Sequence, residues 1–324
     1  MQQFKTIIGK DIEAAKIFLM NGLVVGIPTE TVYGLAGNAL NEDAAIQIFS
    51  VKNRPHFDPL IVHTHSITEI EKYVTAVPDK ARLLMQHFMP GALTLLLKKK
   101  GMIPDIITSG LDTVAIRIPN HPLTLQLLRA LPFPVAAPSA NPFGYISPTT
   151  AAHVFEQLHD KIPYILDGGA TTVGVESTIV GFEGEEAVVY RLGGLAIEEI
   201  EAVIGKTTIN VNAASNPKTP GMLKSHYAPV KRLIFDNKTE LDRLKASKEK
   251  VGIICFNKYI DGPDKNAQVL LSSRGDLEEA AKHLFAAMRT LDAGDADVIY
   301  AIRFPEEGLG RAINDRLMRA SFRE

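Results

Sequence analysis

A single cysteine, Cys255, is all the thiol chemistry in this chain of 324 residues. No intrachain disulfide can form, a cysteine-based zinc site is excluded, and a reducing compartment is the simple expectation. Cys255 lies in the apolar run Val251–Phe256, where a thiol reads as a small core residue rather than a nucleophile. Long hydrophobic runs are missing too: Leu93–Leu97 and Pro134–Pro138 fall far below the ~20 residues of a membrane helix. Met1-Gln2-Gln3-Phe4-Lys5 lacks the basic-then-apolar pattern of a signal peptide, so a cytoplasmic location without membrane association is expected. No Walker phosphate loop is present, and no Gly-x-Gly-x-x-Gly follows a strand; Gly308-Leu309-Gly310 lacks the third glycine. A triphosphate bound here has to be held largely by side chains. Gly-x-Ser-x-Gly and His-Glu-x-x-His are absent as well, which weakens serine-hydrolase and zincin readings.

What is present is an ordinary globular composition, 46% hydrophobic and 22% charged, in a chain longer than one typical domain of ~100–200 residues. The net charge of −2 conceals an asymmetry: residues 1–205 carry 15 Lys+Arg against 21 Asp+Glu, and the remainder 20 against 16. The first part is a poor general nucleic-acid binder, since that affinity comes largely from neutralising phosphates. It can still gather a few cations inside one cleft.

Through residue 205 helical and strand patterns alternate. Helices are expected at Asp11–Met20, Glu42–Val51, Asp79–Phe88, Pro122–Ala130, Thr150–Leu158 and Ala196–Ile204. Strands are expected at Leu23–Ile27, Leu60–His63, Ala92–Lys98, Thr113–Ile118, Val135–Pro138, Tyr164–Leu166, Thr178–Phe182 and Ala187–Leu192. This mixture predicts an α/β unit (1–205) built on a large mixed sheet. Residues 206–229, rich in Thr, Asn, Ser and Pro, read as a linker. From 230 to 324 strands at Arg232–Phe235, Val251–Phe256, Ala267–Leu271 and Val298–Ala301, with helices at Leu277–Leu291 and Leu309–Phe322, predict a small doubly wound, Rossmann-like α/β unit.

The chemistry-bearing residues cluster at strand ends. Pro28-Thr29-Glu30-Thr31-Val32-Tyr33-Gly34-Leu35 places hydroxyls and a carboxylate where open sheets bind ligands; a capped turn is the alternative. Lys52-Asn53-Arg54-Pro55 offers a point charge and a bidentate fork to one anion, or simply complements a helix C-terminus. Asp58 and His63 follow. His56, His63 and His65 could converge on a metal, but no carboxylate completes the set, so a substrate contact or a structural hydrogen bond is the stronger reading of His63. Arg117 interrupts an apolar strand and needs an anionic partner, either a protein carboxylate such as Glu176 or a ligand carboxylate. Pro138-Ser139-Ala140-Asn141, then Ser147-Pro148, Glu176-Ser177-Thr178 and Arg191-Leu192-Gly193, add strand-end hydroxyls and another arginine.

These motifs, occurring in this order over residues 10–205, resemble the threonylcarbamoyl-AMP synthases of the Sua5/YrdC/YciO family. His226-Tyr227-Ala228-Pro229 before a second α/β unit is similar to the longer, two-domain Sua5 form. The resemblance implies a YrdC-like twisted mixed sheet curved around a basic cavity. It implies a nucleotidyl transfer in which L-threonine, bicarbonate and ATP, with Mg²⁺, give threonylcarbamoyl-AMP and pyrophosphate. The product feeds a downstream threonylcarbamoyl transferase that modifies tRNA to t6A. By motif position Thr31, His63, Arg117, Ala137 and Ser177 would bind threonine. Lys52, Arg54, Asp58, Thr113, Ser139, Asn141, Ser147, Arg191 and Tyr227 would surround ATP, Lys52 and Arg54 acting on the phosphoryl transfer and Tyr227 closing over the cavity from the linker. The Mg²⁺ ligands are not identified; the ATP phosphates would supply most of them. A non-catalytic RNA-binding module, for which direct tRNA contact is open, and a related carbamoyl-transferring domain are the alternatives.

Overall fold

Short apolar runs closed by proline, glycine or polar caps dictate the layout of the computed structural model, which describes residues 3–211, 219 and 225–322. Eleven strands form one mixed sheet: β1 (Ile7–Gly9), β2 (Val25–Ile27), β3 (Gly34–Asn38), β4 (Ile61–His63), β5 (Leu93–Lys98), β6 (Thr113–Arg117), β7 (Val135–Ala136), β8 (Tyr164–Leu166), β9 (Thr178–Glu183), β10 (Glu186–Arg191) and β11 (Thr208–Ile209). Their spatial order is β1-β8-β2-β3-β7-β4-β6-β5-β9-β10-β11. Parallel pairs (β4 with β6, β5 with β9) alternate with antiparallel ones (β5 with β6, β9 with β10). As a result β4, β6 and β10 finish, and β9 begins, at the same end of the sheet. This places His63, Arg117, Arg191 and the residues just before Thr178 side by side.

Helices Asp79–Phe88 and Pro122–Ala130 have the limits expected from the sequence. Four expected first residues, Asp11, Thr150, Ala196 and Leu309, prove to be N-caps instead, two of them through their side chains. The Asp11 carboxylate accepts the amides of Glu13 and Ala14, and the Thr150 hydroxyl accepts that of His153, satisfying donors that the first turn leaves open. Strands β1 and β3, and helices Ile67–Tyr73 and Lys238–Ala246, were not anticipated. β3 lies partly in the stretch read as a turn. Its glycines suit an enclosed strand: a Cβ at Gly37 would lie 3.1 Å from Ile48 Cδ1 and 3.2 Å from Val24 Cγ1, tighter than van der Waals contact.

The second sheet is wholly parallel: β12 (Arg232–Phe235), β13 (Val251–Cys255), β14 (Gln268–Leu270) and β15 (Val298–Ala301), in the order β12-β15-β13-β14. Helix Lys238–Ala246 covers one face through Leu241 and Leu244, which pack with Ile234, Ile253 and Tyr300. Helices Leu277–Ala293 and Gly310–Ser321 cover the other through Leu284, Phe285, Met288, Ile313 and Leu317. The doubly wound expectation holds, and Cys255 is a buried core residue of β13.

Half of the linker expected at 206–229 lies outside the described residues, and its start is corrected: Thr208–Ile209 is β11, paired parallel to β10 as the edge of the first sheet. The described portion of the linker includes His226 and Tyr227, both buried. The two sheet units do more than flank it, because Val32, Ile146 and Val175 of the first unit belong to the same apolar cluster as the helices of the second. Burial of each such side chain contributes about 1.5–3 kcal/mol. Gly174 explains how closely they approach: a Cβ there would lie 2.4 Å from the Lys282 Cα.

Candidate active site

A cleft with a cavity volume of about 50 Å³ opens where the strand ends converge. Among the residues expected from the sequence, Thr31, Arg54, His63, Arg117, Ala137, Ser139, Ser177, Arg191 and Tyr227 line it. Thr29, whose hydroxyl the sequence placed at this strand end, lines it as well, as do Glu176 and His226, which were not among the expected ligand contacts. Each of these last two adjoins an expected residue in its motif, and that proximity was the only signal available.

Arg117 ends β6 directly opposite His63 of β4. Its Nη1 donates to Thr31 Oγ1 at 3.1 Å, and its Nη2 to Glu30 Oε1 at 2.5 Å and to the Gly91 carbonyl at 3.2 Å. The protein carboxylate beside Arg117 is therefore Glu30 rather than Glu176, the example offered by the sequence. The Thr29 hydroxyl donates to the Val32 carbonyl, so the 2.8 Å contact between the two threonine hydroxyls has Thr31 as its donor. The Thr29–Val32 segment is a side-chain-stabilised turn, and this same turn holds Thr31 against the guanidinium.

The Nδ1–H of His63 donates to the Ile61 carbonyl at 3.1 Å, leaving Nε2 as an acceptor. Burial first, and the Arg117 charge second, lower its pKa to about 3, so the ring is neutral. No group of three metal-ligating side chains occurs among the described residues. His56 packs on Phe49 at 4.8 Å between ring centroids, and His65 lies beside Glu69.

On the opposite wall Arg191 donates from Nε to the Ser177 carbonyl and from Nη2 to the Ser177 hydroxyl, both at 3.0 Å. Burial lowers the Arg191 pKa to about 10, which leaves it charged. Gly193 permits this turn, because a Cβ there would meet the Glu176 carbonyl oxygen at 2.3 Å. Glu176 accepts the Ser147 hydroxyl on Oε1 at 2.6 Å and the Arg316 Nε on Oε2 at 2.8 Å. Burial works to raise its pKa, but Arg316 and Arg191 outweigh it and keep the carboxylate ionised below its ordinary range.

Four expected residues stand behind the lining. Lys52 donates to the Ser139 and Asn141 carbonyls at 2.5 and 2.6 Å, and its pKa is pulled down by burial and by Arg54. Arg54 directs N–H groups at the carbonyls of Asp58 and Pro59. Its Nη2 also lies 2.9 Å from Asp58 Oδ2, yet neither carboxylate oxygen accepts a hydrogen bond, so that contact is purely electrostatic. Burial raises the Asp58 pKa against the pull of Arg54 and Lys52. Asn141 donates to the Pro142 and Tyr145 carbonyls, and the hydroxyl proton of Ser147 is committed to Glu176. Thr113 does not join the cavity; it opens β6, roughly 13 Å along the strand from Arg117.

Tyr227, 1% exposed, stacks on Phe285 at 5.6 Å and faces the Arg316 guanidinium at 5.1 Å. Burial raises the Tyr227 pKa to about 12, which keeps it a neutral phenol. His226 packs edge-on against it at 4.1 Å, its own pKa held far below the usual imidazole range by burial and by Arg54.

Residues 18–193 match the Sua5/yciO/yrdC family model, described as telomere recombination, and residues 195–321 match the model of the threonylcarbamoyl-AMP synthase C-terminal domain. The chain is 41% identical over 324 residues to the threonylcarbamoyl-AMP synthase of Pyrococcus abyssi, covering 96% of this chain and 94% of that one. The chain belongs to the Sua5/YrdC/YciO family. Its similarity to the Bacillus subtilis threonylcarbamoyl-AMP synthase is 40% over 320 residues, covering 96% and 92% of the two chains. The crystal structure of P. abyssi Sua5 complexed with L-threonine matches with a TM-score of 0.90 at 39% identity, over 98% of this chain and 97% of that one. E. coli YciO, at 23% identity and a TM-score of 0.51 over 60% of this chain, shares the fold of a single-unit relative. No helix among the described residues is long and apolar enough to cross a membrane.

Proposed function

We propose that this chain is an L-threonylcarbamoyl-AMP synthase, a cytoplasmic nucleotidyltransferase that joins L-threonine, bicarbonate and ATP. One observation carries the reading: the whole chain, both units included, matches a Sua5 structure holding L-threonine, at 39% identity. Buried Arg54, Arg117 and Arg191 around one cavity suit a reaction between anions.

In the reaction the threonine amine and bicarbonate condense to a carbamate with loss of water. A carbamate oxygen then attacks the α-phosphorus of ATP, and pyrophosphate leaves with the bond's electron pair. Such a transfer depends on positioning and on stabilising charge at the phosphate oxygens. Thr31, the His63 Nε2, Arg117, Ala137 and Ser177 hold threonine in this reading, with Arg117 facing its carboxylate. Arg54, Arg191 and the Ser139 segment face the nucleotide, and Lys52, through its third N–H, supplies charge behind them. Asp58, Asn141 and Ser147 fix that wall, and Tyr227 closes it; the placement of Thr113 beside ATP rests on motif position alone. Mg²⁺ would withdraw charge from the triphosphate. Asp58 and Glu176 are already paired with Arg54 and Arg316, which suits an ion held chiefly by phosphate oxygens. The mixed anhydride formed is an activated acyl group, fit for a downstream tRNA-modifying threonylcarbamoyl transferase.

Pyrophosphate release tests the reading. Release from Mg-ATP is expected only when threonine and bicarbonate are both present. Turnover indifferent to threonine, in a folded sample, would sink it.

A further inference from the structure

Arg316 belongs to the last helix of the second unit, yet its guanidinium is fully buried against the wall of the first unit's cavity. It donates from Nε to Glu176 Oε2 at 2.8 Å and from Nη1 to Asp315 Oδ2 at 2.8 Å, and Asp315 in turn accepts Arg319 at 3.0 Å. Its flat face lies 5.1 Å from the centre of the Tyr227 ring. Glu176 is the partner that lines the cavity. A second arginine of the same unit, Arg289, grips the neighbouring loop by donating to the Ile146 carbonyl at 2.5 Å.

We propose that Arg316 is a positioning residue contributed by the C-terminal unit, which pins Glu176 to the cavity wall and cancels its charge so that the wall accepts a polyanionic nucleotide. The proposal rests on the ATP-using reading above. A carboxylate facing the same cavity as Arg54, Arg117 and Arg191 works against phosphate binding unless a cation stands directly behind it. Arg316 supplies that cation, and its remaining pairing with Asp315 fixes the guanidinium in place. Glu176 with both oxygens occupied also cannot turn towards Arg191, which keeps the Arg191 fork on Ser177. The second unit therefore contributes to the electrostatics of the site as well as to its packing.

The substrates differ in how they respond to a lost charge. ATP carries several negative charges, whereas threonine is a zwitterion without net charge. One uncompensated carboxylate thus acts strongly on the first and weakly on the second. At the effective dielectric of a protein site, one unit charge acting on another across ~10 Å corresponds to about tenfold or more in affinity.

The test compares Mg-ATP and L-threonine affinities, by calorimetry on the full chain, for wild type, Arg316→Gln, Arg316→Lys, Glu176→Gln and the Arg316→Gln/Glu176→Gln pair, with melting temperature alongside. Arg316→Gln is expected to weaken ATP about tenfold or more while leaving threonine unchanged. Adding Glu176→Gln is expected to restore most of the ATP affinity, because it removes the charge that Arg316 had cancelled. Arg316→Lys keeps the charge without the fork and is expected to fall between. Equal weakening of both ligands, or a double variant no better than Arg316→Gln, overturns the proposal. If Arg316→Gln does not fold, the neutral Arg316→Gln/Glu176→Gln pair decides, and ATP affinity about tenfold or more below wild type in it overturns the proposal. Wild type that binds ATP but hydrolyses it without threonine refutes the synthase reading and leaves the binding comparison intact; wild type without ATP affinity overturns both.

Discussion

Arg117 Nη2 and Glu30 Oε1 are 2.5 Å apart in a buried pair, while the Arg117 Nε and the second Glu30 oxygen have no hydrogen-bond partner. The pair is half committed: one edge of the guanidinium is fixed by Glu30, Thr31 and Gly91, and the other is not. Arg117→Lys keeps the charge but loses the fork that a carboxylate ligand would meet. Its KM for threonine is expected to rise about tenfold or more, as loss of a charge-assisted hydrogen bond implies. Arg117→Met leaves Glu30 buried and unpaired, which costs about 3–5 kcal/mol in urea unfolding. Adding Glu30→Gln should recover much of that stability without restoring turnover. Recovery of both would mean that Arg117 serves only the fold.

His63 gives the site a pH signature. Its pKa is lowered from 6.5 to about 3 in the folded chain, by burial and then by Arg117. As pH falls below 6.5 the unfolded chain therefore takes up a proton that the folded chain refuses. The stabilising contribution is complete above that pH and drains away towards pH 3, by about 1.4 kcal/mol per unit. His153, lowered to about 4 by burial and Arg289, adds a contribution of the same sign. Urea unfolding at pH 7, 6 and 5 should show stability falling, with the slope shallower by about one proton's worth in His63→Asn. An unchanged slope in that variant would place the titration elsewhere.

Gly174 reports on the contact between the units. It has φ +82°, and an added Cβ would lie 2.4 Å from the Lys282 Cα and 2.6 Å from the Ala281 carbonyl oxygen, all backbone. Nothing flexible can yield, so Gly174→Ala must displace helix Leu277–Ala293 or strain its own turn. A loss on the order of 2–4 kcal/mol in unfolding free energy is expected, combining backbone strain and overpacking. Gly184→Ala provides the comparison: φ is +65° there, with open space around the Cβ, so only the backbone part remains. Equal losses in the two variants would show that the helix does not press on Gly174.

Most elements were legible because local signals agreed with tertiary demand. Asp79–Phe88 and Pro122–Ala130 follow a proline or carry one at their first position, and each buries one apolar face. β3 was hidden because Gly34-Leu35-Ala36-Gly37-Asn38 has weak strand propensity and is held by its neighbours β2 and β7. Helix Lys238–Ala246 was hidden by its charge, since only Leu241 and Leu244 of its nine residues are buried. At the site, motif order and strand ends gathered nine of the expected residues around one cavity, yet pairings across the fold could not be read. Glu30 lies 87 positions from Arg117, and no local pattern distinguishes it from Glu176. Arg316 sits in Gly310–Ser321 among charges that, on an isolated helix, would all face water.

The span of 140 positions between Glu176 and Arg316 has a consequence for how the protein is made. At roughly 5–20 residues per second, synthesis of that interval occupies on the order of ten seconds or more. For most of it, once Ile209 has been added, the first sheet is already on the chain, with Val32, Ile146 and Val175 lacking the helices that cover them and Glu176 lacking its cation. The nascent chain thus presents an apolar patch beside a lone acid. It becomes a binding site only when a helix from the far end of the sequence arrives.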